Sequence, residues 1–216
     1  MSRFCNNPKE SHAIAVKRIS RYLHLTRDKG LRFKPDPTKG LECYVDADWA
    51  GSWQDRSSTD PNSAKSRTGY IITYAGCPIV WASKLQTLVA LSTTEAEYIA
   101  LSTSLREVIA VMNLVTELRN LGFNLSIDTP KIVCTVFEDN RSCLEIATNH
   151  RTRPRTKHLS VRLHHFRYHV VNKTINIQHV ASKEQMADIF TKPLPRDQFI
   201  KLRNRFMGWY SLGERE

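Results

Sequence analysis

The sequence predicts an α/β domain in which three antiparallel strands come first and helices then alternate with two further strands. Apolar residues alternate from Leu41 to Val45, which is typical of a strand with one buried face. Two further strand-like runs, 68–74 and 78–82, are joined at residues 75–76. This spacing favours an antiparallel hairpin that follows the first strand.

The second half of the chain predicts the helices and the last two strands. The sequence STTE at 92–95 is a capping box that begins a long helix. The stripe expected to be buried on this helix consists of Tyr98, Leu101, Leu105, Val108, Met112 and Val115. The apolar run 131–137 is typical of a strand buried on both faces, and a short helix through Leu144 and Ile146 follows it. The remaining elements are an amphipathic helix at 158–171, a strand at 175–180 and a helical segment at 185–206 that prolines interrupt.

The beginning of the chain differs from this pattern. Asn7-Pro8 predicts a helix start, and an apolar stripe follows that one short helix cannot bury alone. Residues 35–40 read as a turn-rich linker. We therefore expect an extension at 1–40, one domain at 41–210 and a tail at 211–216.

Composition limits the classes of partner and the compartment. The chain has 32 Lys and Arg against 21 Asp and Glu, a net charge of +11 that favours a polyanion such as nucleic acid. A basic protein without such a partner is the alternative. No stretch approaches the length of a membrane span, so no membrane is expected. The five cysteines show no zinc-ligand spacing, and their odd number without a signal peptide indicates an intracellular setting.

Four acidic residues occupy positions where solvated charges are not expected. Asp46 lies within the first strand, where a buried carboxylate needs a cation or hydrogen-bond donors as partners. Glu97 lies in the first turns of the long helix, and Asp139 follows the central strand, at the edge where open α/β sheets carry their chemistry. Asp188 lies on the last helical segment. We expect these four carboxylates to converge on divalent metal ions, because Mg²⁺ prefers oxygen ligands.

Seven motifs along the chain resemble the ribonuclease H domain of copia-type retrotransposon reverse transcriptases. They are YVDADWAG (44–51), SRTGYI (66–71), WASKLQ (81–86), LSTTEAEYIAL (91–101), EDNRSC (138–143), TKH (156–158) and QMADIFTKPL (185–194). Residues 2–23 resemble the end of the reverse transcriptase that precedes this domain in such polyproteins. The resemblance implies a ribonuclease H-like fold: a five-stranded mixed sheet flanked by helices, with an N-terminal helical extension.

The resemblance also implies an activity. Such domains are endoribonucleases that hydrolyse the RNA strand of RNA–DNA hybrids during reverse transcription, with two Mg²⁺ ions, or Mn²⁺ as a substitute, and no small-molecule cofactor. Asp46 would bridge both ions, Glu97 and Asp139 would complete one site, and Asp188 would hold the other. The expected partners are the hybrid and the remainder of the Pol polyprotein, in the cytoplasm, a virus-like particle or the nucleus.

Each of these assignments has an alternative. Asp48 projects from the same strand face as Asp46, although Asp46 takes the family's position. Glu95 fits the capping box, which leaves Glu97 for metal. Asp139 could instead cap the following helix, and Asp188 could be a solvated acid.

Further residues are expected to contact substrate. By resemblance to related ribonucleases H, His179 would assist proton transfer or product release, with a plain surface histidine as the alternative. Asn140 would contact a 2′-hydroxyl next to the scissile bond. Near a helix N-terminus, the backbone or minor groove of the nucleic acid would accept hydrogen bonds from Ser92, Thr93 and Thr94. A basic strip expected to contact phosphates, with a solvated charge run as the alternative, consists of Arg151, Arg153, Arg155 and Lys157. The family usually has an acid where this chain has Ser160, which we interpret as a local structural change.

Two other functions stay open from the sequence. The same fold could be a catalytically weak module that positions template for a polymerase partner, which would require a lost carboxylate. It could also be an integrase-like DNA strand-transfer core, although that class usually places its glutamate last among the three acids.

Overall fold

The computed structural model of the protein describes residues 5–51, 53, 62–125, 132–148 and 165–209. Its strands are β1 (Leu41–Asp48), β2 (Arg67–Tyr74), β3 (Cys77–Leu85), β4 (Cys134–Glu138) and β5 (Ile175–His179). Its helices are α1 (Glu10–Leu25), α2 (Thr93–Asn120), α3 (Arg141–Thr148), α4 (165–171), α5 (Asp188–Thr191) and α6 (Arg196–Met207), with a 3₁₀ turn at Ser182–Glu184.

The five strands form one mixed sheet in the order β3-β2-β1-β4-β5. β1, β2 and β3 are antiparallel, whereas β4 lies parallel to both β1 and β5. The connections explain part of this arrangement, because a short turn at 75–76 joins the antiparallel strands β2 and β3, and helix α2 returns the chain for the parallel strand β4. The predicted fold class, with its first three strands antiparallel, is confirmed.

The sheet is covered on both faces. Cys43 and Val45 of β1 belong to a large core that includes the buried stripe of α2. Tyr44, which points the opposite way, belongs to a second core with Met186 and Phe206 near α5 and α6. Alternation along β1 therefore assigns its even-numbered residues, including position 46, to the face on which α5 lies.

Helix α2 begins and packs as the sequence predicts. Ser92 is its N-cap, and its hydroxyl accepts a hydrogen bond from the backbone N–H of Glu95 at 3.1 Å. All six residues of the predicted stripe are buried. Among the described residues, α2 is also the one helix that is long and apolar enough to span a membrane by length and composition, but half of its apolar window is buried inside the protein, as in the core helix of a soluble domain.

Several element boundaries differ from the sequence prediction. α1 begins at Glu10, after Lys9 rather than at Asn7-Pro8, and none of its residues is buried. β4 alternates buried with half-buried residues instead of being buried throughout. The segment 185–206 contains two separate helices, α5 and α6, on either side of its prolines. The start of the predicted helix at 158–171 lies outside the described residues.

The chain forms two compact units, one ending at Arg32 and the other beginning at Phe33. In the second unit the segment before β1 is fixed to the hairpin, because the backbone N–H of Asp36 donates to the carbonyl of Ala75 at 2.9 Å. The Asp36 carboxylate in turn accepts from the backbone N–H of Thr38 at 2.9 Å. These bonds form an ordered turn that leads into the sheet.

Candidate active site

Three carboxylates from three separate elements meet at one edge of the sheet. They belong to Asp46 of β1, Glu97 of α2 and Asp139, which directly follows β4. One oxygen of each lies within 4.8 Å of the others. Asp46 is fully buried and Glu97 is 4% exposed, so water compensates little of this charge. The cluster therefore requires protons or cations to offset its repulsion.

The fold explains the convergence. β1 and β4 are parallel neighbours, so Asp46 and Asp139 lie near or just beyond the same ends of adjacent strands. Glu97 comes from the N-terminal part of α2, which packs on β1 and β2. Carboxylates that are distant in sequence thus share one small volume.

Glu138 is a further carboxylate that the sequence analysis missed. It is fully buried at the end of β4, and its Oε1 accepts from the backbone N–H of Asn140 at 3.0 Å. Its Oε2 and the Oε2 of Glu97 are buried without a hydrogen-bond partner in the part of the chain that the structure describes. The signal was present, since Cys134, Val136 and Glu138 follow the period of two that defines the core face of β4.

Burial and mutual repulsion both raise the pKa values of these acids. Burial, and then the charges of Glu138, Asp46 and Asp139, raise the pKa of Glu97 far above its usual value. Burial also raises the pKa of Glu138, and the backbone N–H of Asn140 partly opposes this effect. Without a cation, these two side chains favour their neutral forms at neutral pH.

Asp188 is linked to Asp46 by Lys192, which forms an ion pair with both carboxylates. The Nζ of Lys192 lies 2.8 Å from Asp46 Oδ1 and 3.0 Å from Asp188 Oδ1, so one ammonium bridges both carboxylates. The hydroxyl of Thr191 donates to the second oxygen of Asp46. Burial and the charge of Asp46 raise the pKa of Asp188 to about 6, although Lys192 opposes the shift. Asp188 is therefore close to Asp46 but is not a member of the three-carboxylate group.

Gln185 and Gly69 allow α5 to lie close to the sheet. Gln185 is fully buried, and its Nε2 donates to the carbonyl of Val45 at 2.9 Å and to that of Phe137 at 3.3 Å. Gly69 lies opposite Asp46 in the β1–β2 register, and a Cβ built on it would meet Thr191 Cγ2 at 2.6 Å. The missing side chain of Gly69 thus allows α5 to approach the strand that carries Asp46.

No family model matches the chain. The retrovirus-related Pol polyprotein of transposon TNT 1-94 from Nicotiana tabacum is 38% identical over 98% of the chain. That of transposon RE1 from Arabidopsis thaliana is 37% identical over 92% of it. Over most of its length the chain is homologous to retrovirus-related Pol polyproteins from copia-type transposons, so the predicted resemblance is confirmed. The chain spans 14% and 12% of the length of those two relatives.

The likeness of the chain to solved structures is weaker. An RNase H1 isolated from compost by a metagenomic approach superimposes with a TM-score of 0.49 and 14% sequence identity. The alignment covers 75% of the chain and 96% of that enzyme.

Glu95 and Asp48, the alternatives to Glu97 and Asp46, make other contacts in the structure. The Glu95 carboxylate accepts from the backbone N–H of Leu91 at 2.9 Å, which is a capping contact. The Asp48 side chain occupies the space beside Gly51 where a Cβ would lie. The helix after β4 is capped by Asn140, whose Oδ1 accepts from the backbone N–H of Cys143 at 3.1 Å. Capping by Asn140 leaves Asp139 available to the carboxylate cluster.

Besides Asn140, the predicted substrate-contact residues fall into three groups. Ser92 and Thr93 are exposed at the N-terminus of α2, and Thr94 is half-buried beside them. His179 is exposed at the end of β5, where it is the ladder partner of Glu138. The four basic residues lie outside the described part of the chain; they are Arg151, Arg153, Arg155 and Lys157.

Proposed function

We propose that this chain is a ribonuclease H that hydrolyses the RNA strand of RNA–DNA hybrids during retrotransposon reverse transcription. The observation that carries the proposal is the convergence of Asp46, Glu97 and Asp139 within 4.8 Å of one another. Homology to retrotransposon Pol polyproteins supports the proposal, because reverse transcription produces RNA–DNA hybrids. Acids that are so crowded and buried act as ligands far more readily than as stabilising charges.

The donor set is suitable for divalent metal ions. All of the oxygens come from carboxylates, which are hard ligands that Mg²⁺ prefers and Mn²⁺ accepts. The buried Oε2 of Glu97 has no partner among the described residues and could bind a cation. We propose that Asp46, Glu97 and Asp139 hold one ion, and that Asp46 and Asp188 hold a second. Divalent ions bound there would generate a nucleophile from water at neutral pH and stabilise negative charge at the scissile phosphate.

Other groups of the protein would bind the hybrid and exchange protons with it. The backbone N–H groups at the start of α2, with Ser92 and Thr93, would donate to the hybrid's phosphates. The amide oxygen of Asn140 caps α3, so its amide nitrogen would donate to a 2′-hydroxyl. His179 would exchange protons at the exposed end of β5. Residues proposed to hold the backbone along a basic strip are Arg151, Arg153, Arg155 and Lys157.

The catalytically weak module is the second candidate from the sequence, and the geometry does not favour it. That function would remove the selection for buried, repelling acids, yet all four predicted carboxylates are present and three share one volume. We propose that the partners are the hybrid and the rest of the polyprotein, in an intracellular particle.

A cleavage assay with an isosteric variant tests this function. The chain is incubated with an RNA–DNA hybrid, duplex DNA and duplex RNA, each with Mg²⁺, with Mn²⁺ or with EDTA. We expect cleavage of the hybrid's RNA strand alone, and only with a divalent ion. Asp139→Asn should lower the rate by more than about a hundredfold while hybrid binding persists, because a ligand charge is lost without a change of shape.

The matched control is Glu145→Gln, the same chemical change at an exposed position of α3. This variant should cut at the wild-type rate. Wild-type cleavage by Asp139→Asn would show that the metal site is misassigned, and cleavage of duplex DNA would favour the integrase-like class instead.

A further inference from the structure

A lysine occupies the side of the carboxylate cluster that faces α5. Lys192 Nζ is 2.8 Å from Asp46 Oδ1 and 3.0 Å from Asp188 Oδ1. Among the described residues, Lys192 is the only cation in an ion pair with either acid. The Asp46 side chain is fully buried and that of Lys192 is 35% exposed, so the ammonium approaches from the solvent side.

The position of this ammonium is fixed by packing as well as by attraction. Lys192 directly follows α5, whose neighbouring Thr191 donates to the other oxygen of Asp46. The close approach at Gly69 and the two hydrogen bonds of Gln185 hold the same segment against β1 and β4. A lysine placed in this way differs from a surface ion pair, because its segment is packed against the sheet and one partner is desolvated.

We propose that Lys192 is a tethered cation that competes with a divalent ion for the Asp46–Asp188 pair. The inference rests on the proposed function, since it assumes that this pair holds the second ion. Without metal, the ammonium neutralises the two acids and keeps them together. A divalent ion can use the same two oxygens only after Nζ has moved away, so Lys192 raises the ion concentration at which that side of the site fills.

The test is a divalent-ion titration of Lys192→Met followed by thermal unfolding of the full chain. Met retains much of the apolar stem and removes the charge. In EDTA we expect a lower Tm than for the wild type, because Asp46 loses its cation. With added Mg²⁺ we expect the Tm to begin to rise at about a tenfold lower ion concentration than for the wild type, the shift that corresponds to removing about 1.4 kcal/mol of competition.

The matched control is Lys201→Met, which removes the lysine of a surface ion pair with Glu184. This control should leave unchanged the Mg²⁺ concentration at which the Tm begins to rise. An onset concentration for Lys192→Met that equals or exceeds that of the wild type would overturn the competition. A wild-type chain that neither gains stability from Mg²⁺ nor cuts hybrid would overturn the proposed function and this inference together.

A second measurement does not depend on how well the Met variant folds. The side-chain ¹⁵Nζ resonance of Lys192 is identified by its absence in Lys192→Arg and followed in the wild type during the Mg²⁺ titration. We expect this resonance to shift as the ammonium leaves the carboxylates, while that of Lys201 stays constant. A Lys192 resonance that is unchanged at saturating Mg²⁺ would refute the displacement.

Discussion

Substitution of Gly69 by alanine tests whether close packing of α5 assembles the site. A Cβ at this position would lie 2.6 Å from Thr191 Cγ2, 3.0 Å from Phe190 Cβ and 3.1 Å from the carbonyl oxygen of Ala187. Ordinary van der Waals contact between such atoms lies at roughly 3.5–4.0 Å. The segment carrying Asp188, Thr191 and Lys192 must therefore retreat by about 1 Å.

The expected loss of stability follows from this displacement. Overpacking of a buried position costs about 1–3 kcal/mol, and the retreat also lengthens the hydrogen bond from Thr191 to Asp46. Displacement of a catalytic group by about 1 Å can lower a rate by about a hundredfold. Gly69→Ala should thus lower the free energy of unfolding by about 1–3 kcal/mol and reduce hybrid cleavage by one to two orders of magnitude, about a hundredfold at most.

Two companion variants make this prediction specific. Gly40→Ala is the matched control, since nothing lies within 4 Å of its added Cβ. Thr191→Ser in the Gly69→Ala background removes the methyl group of the nearest contact but keeps the hydroxyl that donates to Asp46. Denaturant unfolding and hybrid cleavage should be normal for the control and partly restored in the double variant. Full stability and activity of Gly69→Ala would refute the packing argument.

Further predictions concern the pH dependence of stability and the hydrogen bonds of Gln185. Burial raises the pKa of Asp188 to about 6 and that of Glu138 to about 8, so the native state binds these protons more tightly than the unfolded chain does. Their stabilising contribution is full below about pH 4 and is lost as the pH rises through about 6 and 8. In EDTA the Tm should accordingly fall between pH 5 and 8.5, and Glu138→Gln should flatten the upper part of this slope; a wild-type Tm that rises over that range would contradict the assignment. Gln185→Leu should lower the free energy of unfolding by about 2–3 kcal/mol, because the carbonyls of Val45 and Phe137 lose their donor; an unchanged denaturation midpoint would show that water replaces the amide.

The sequence was sufficient for the features that local pattern determines. The alternation beginning at Leu41 predicts β1, and the capping box at 92–95 predicts the start of α2, because both signals act between residues close in the chain. Asp46, Glu97 and Asp139 were identifiable because each interrupts an apolar pattern or directly follows one. Asp188 was identified by motif, and its distance from the other acids could not be predicted.

The supporting residues could not be predicted, because their partners are distant in sequence. Thr191 and Lys192 contact Asp46 across 145 and 146 positions, and Gln185 contacts Val45 across 140. Nothing local distinguishes Lys192 from the other basic residues of a chain with 32 of them. Glu138 was missed for a different reason, since the boundary of β4 was placed one residue too early.

The carboxylate cluster and the neighbouring Asp188 are supported by different kinds of contact. Asp46 and Glu97 belong to a central strand and a 28-residue helix, which are held by the main core. Asp188 belongs to a helix of only four residues, which cannot be stable by itself. Its position depends on the space at Gly69, the hydrogen bonds of Gln185 and the ion pairs of Lys192. The lysine proposed to compete for a second ion is therefore also one of the contacts that position Asp188. Removal of Lys192 changes both stability and the proposed ion binding, so the two must be measured together.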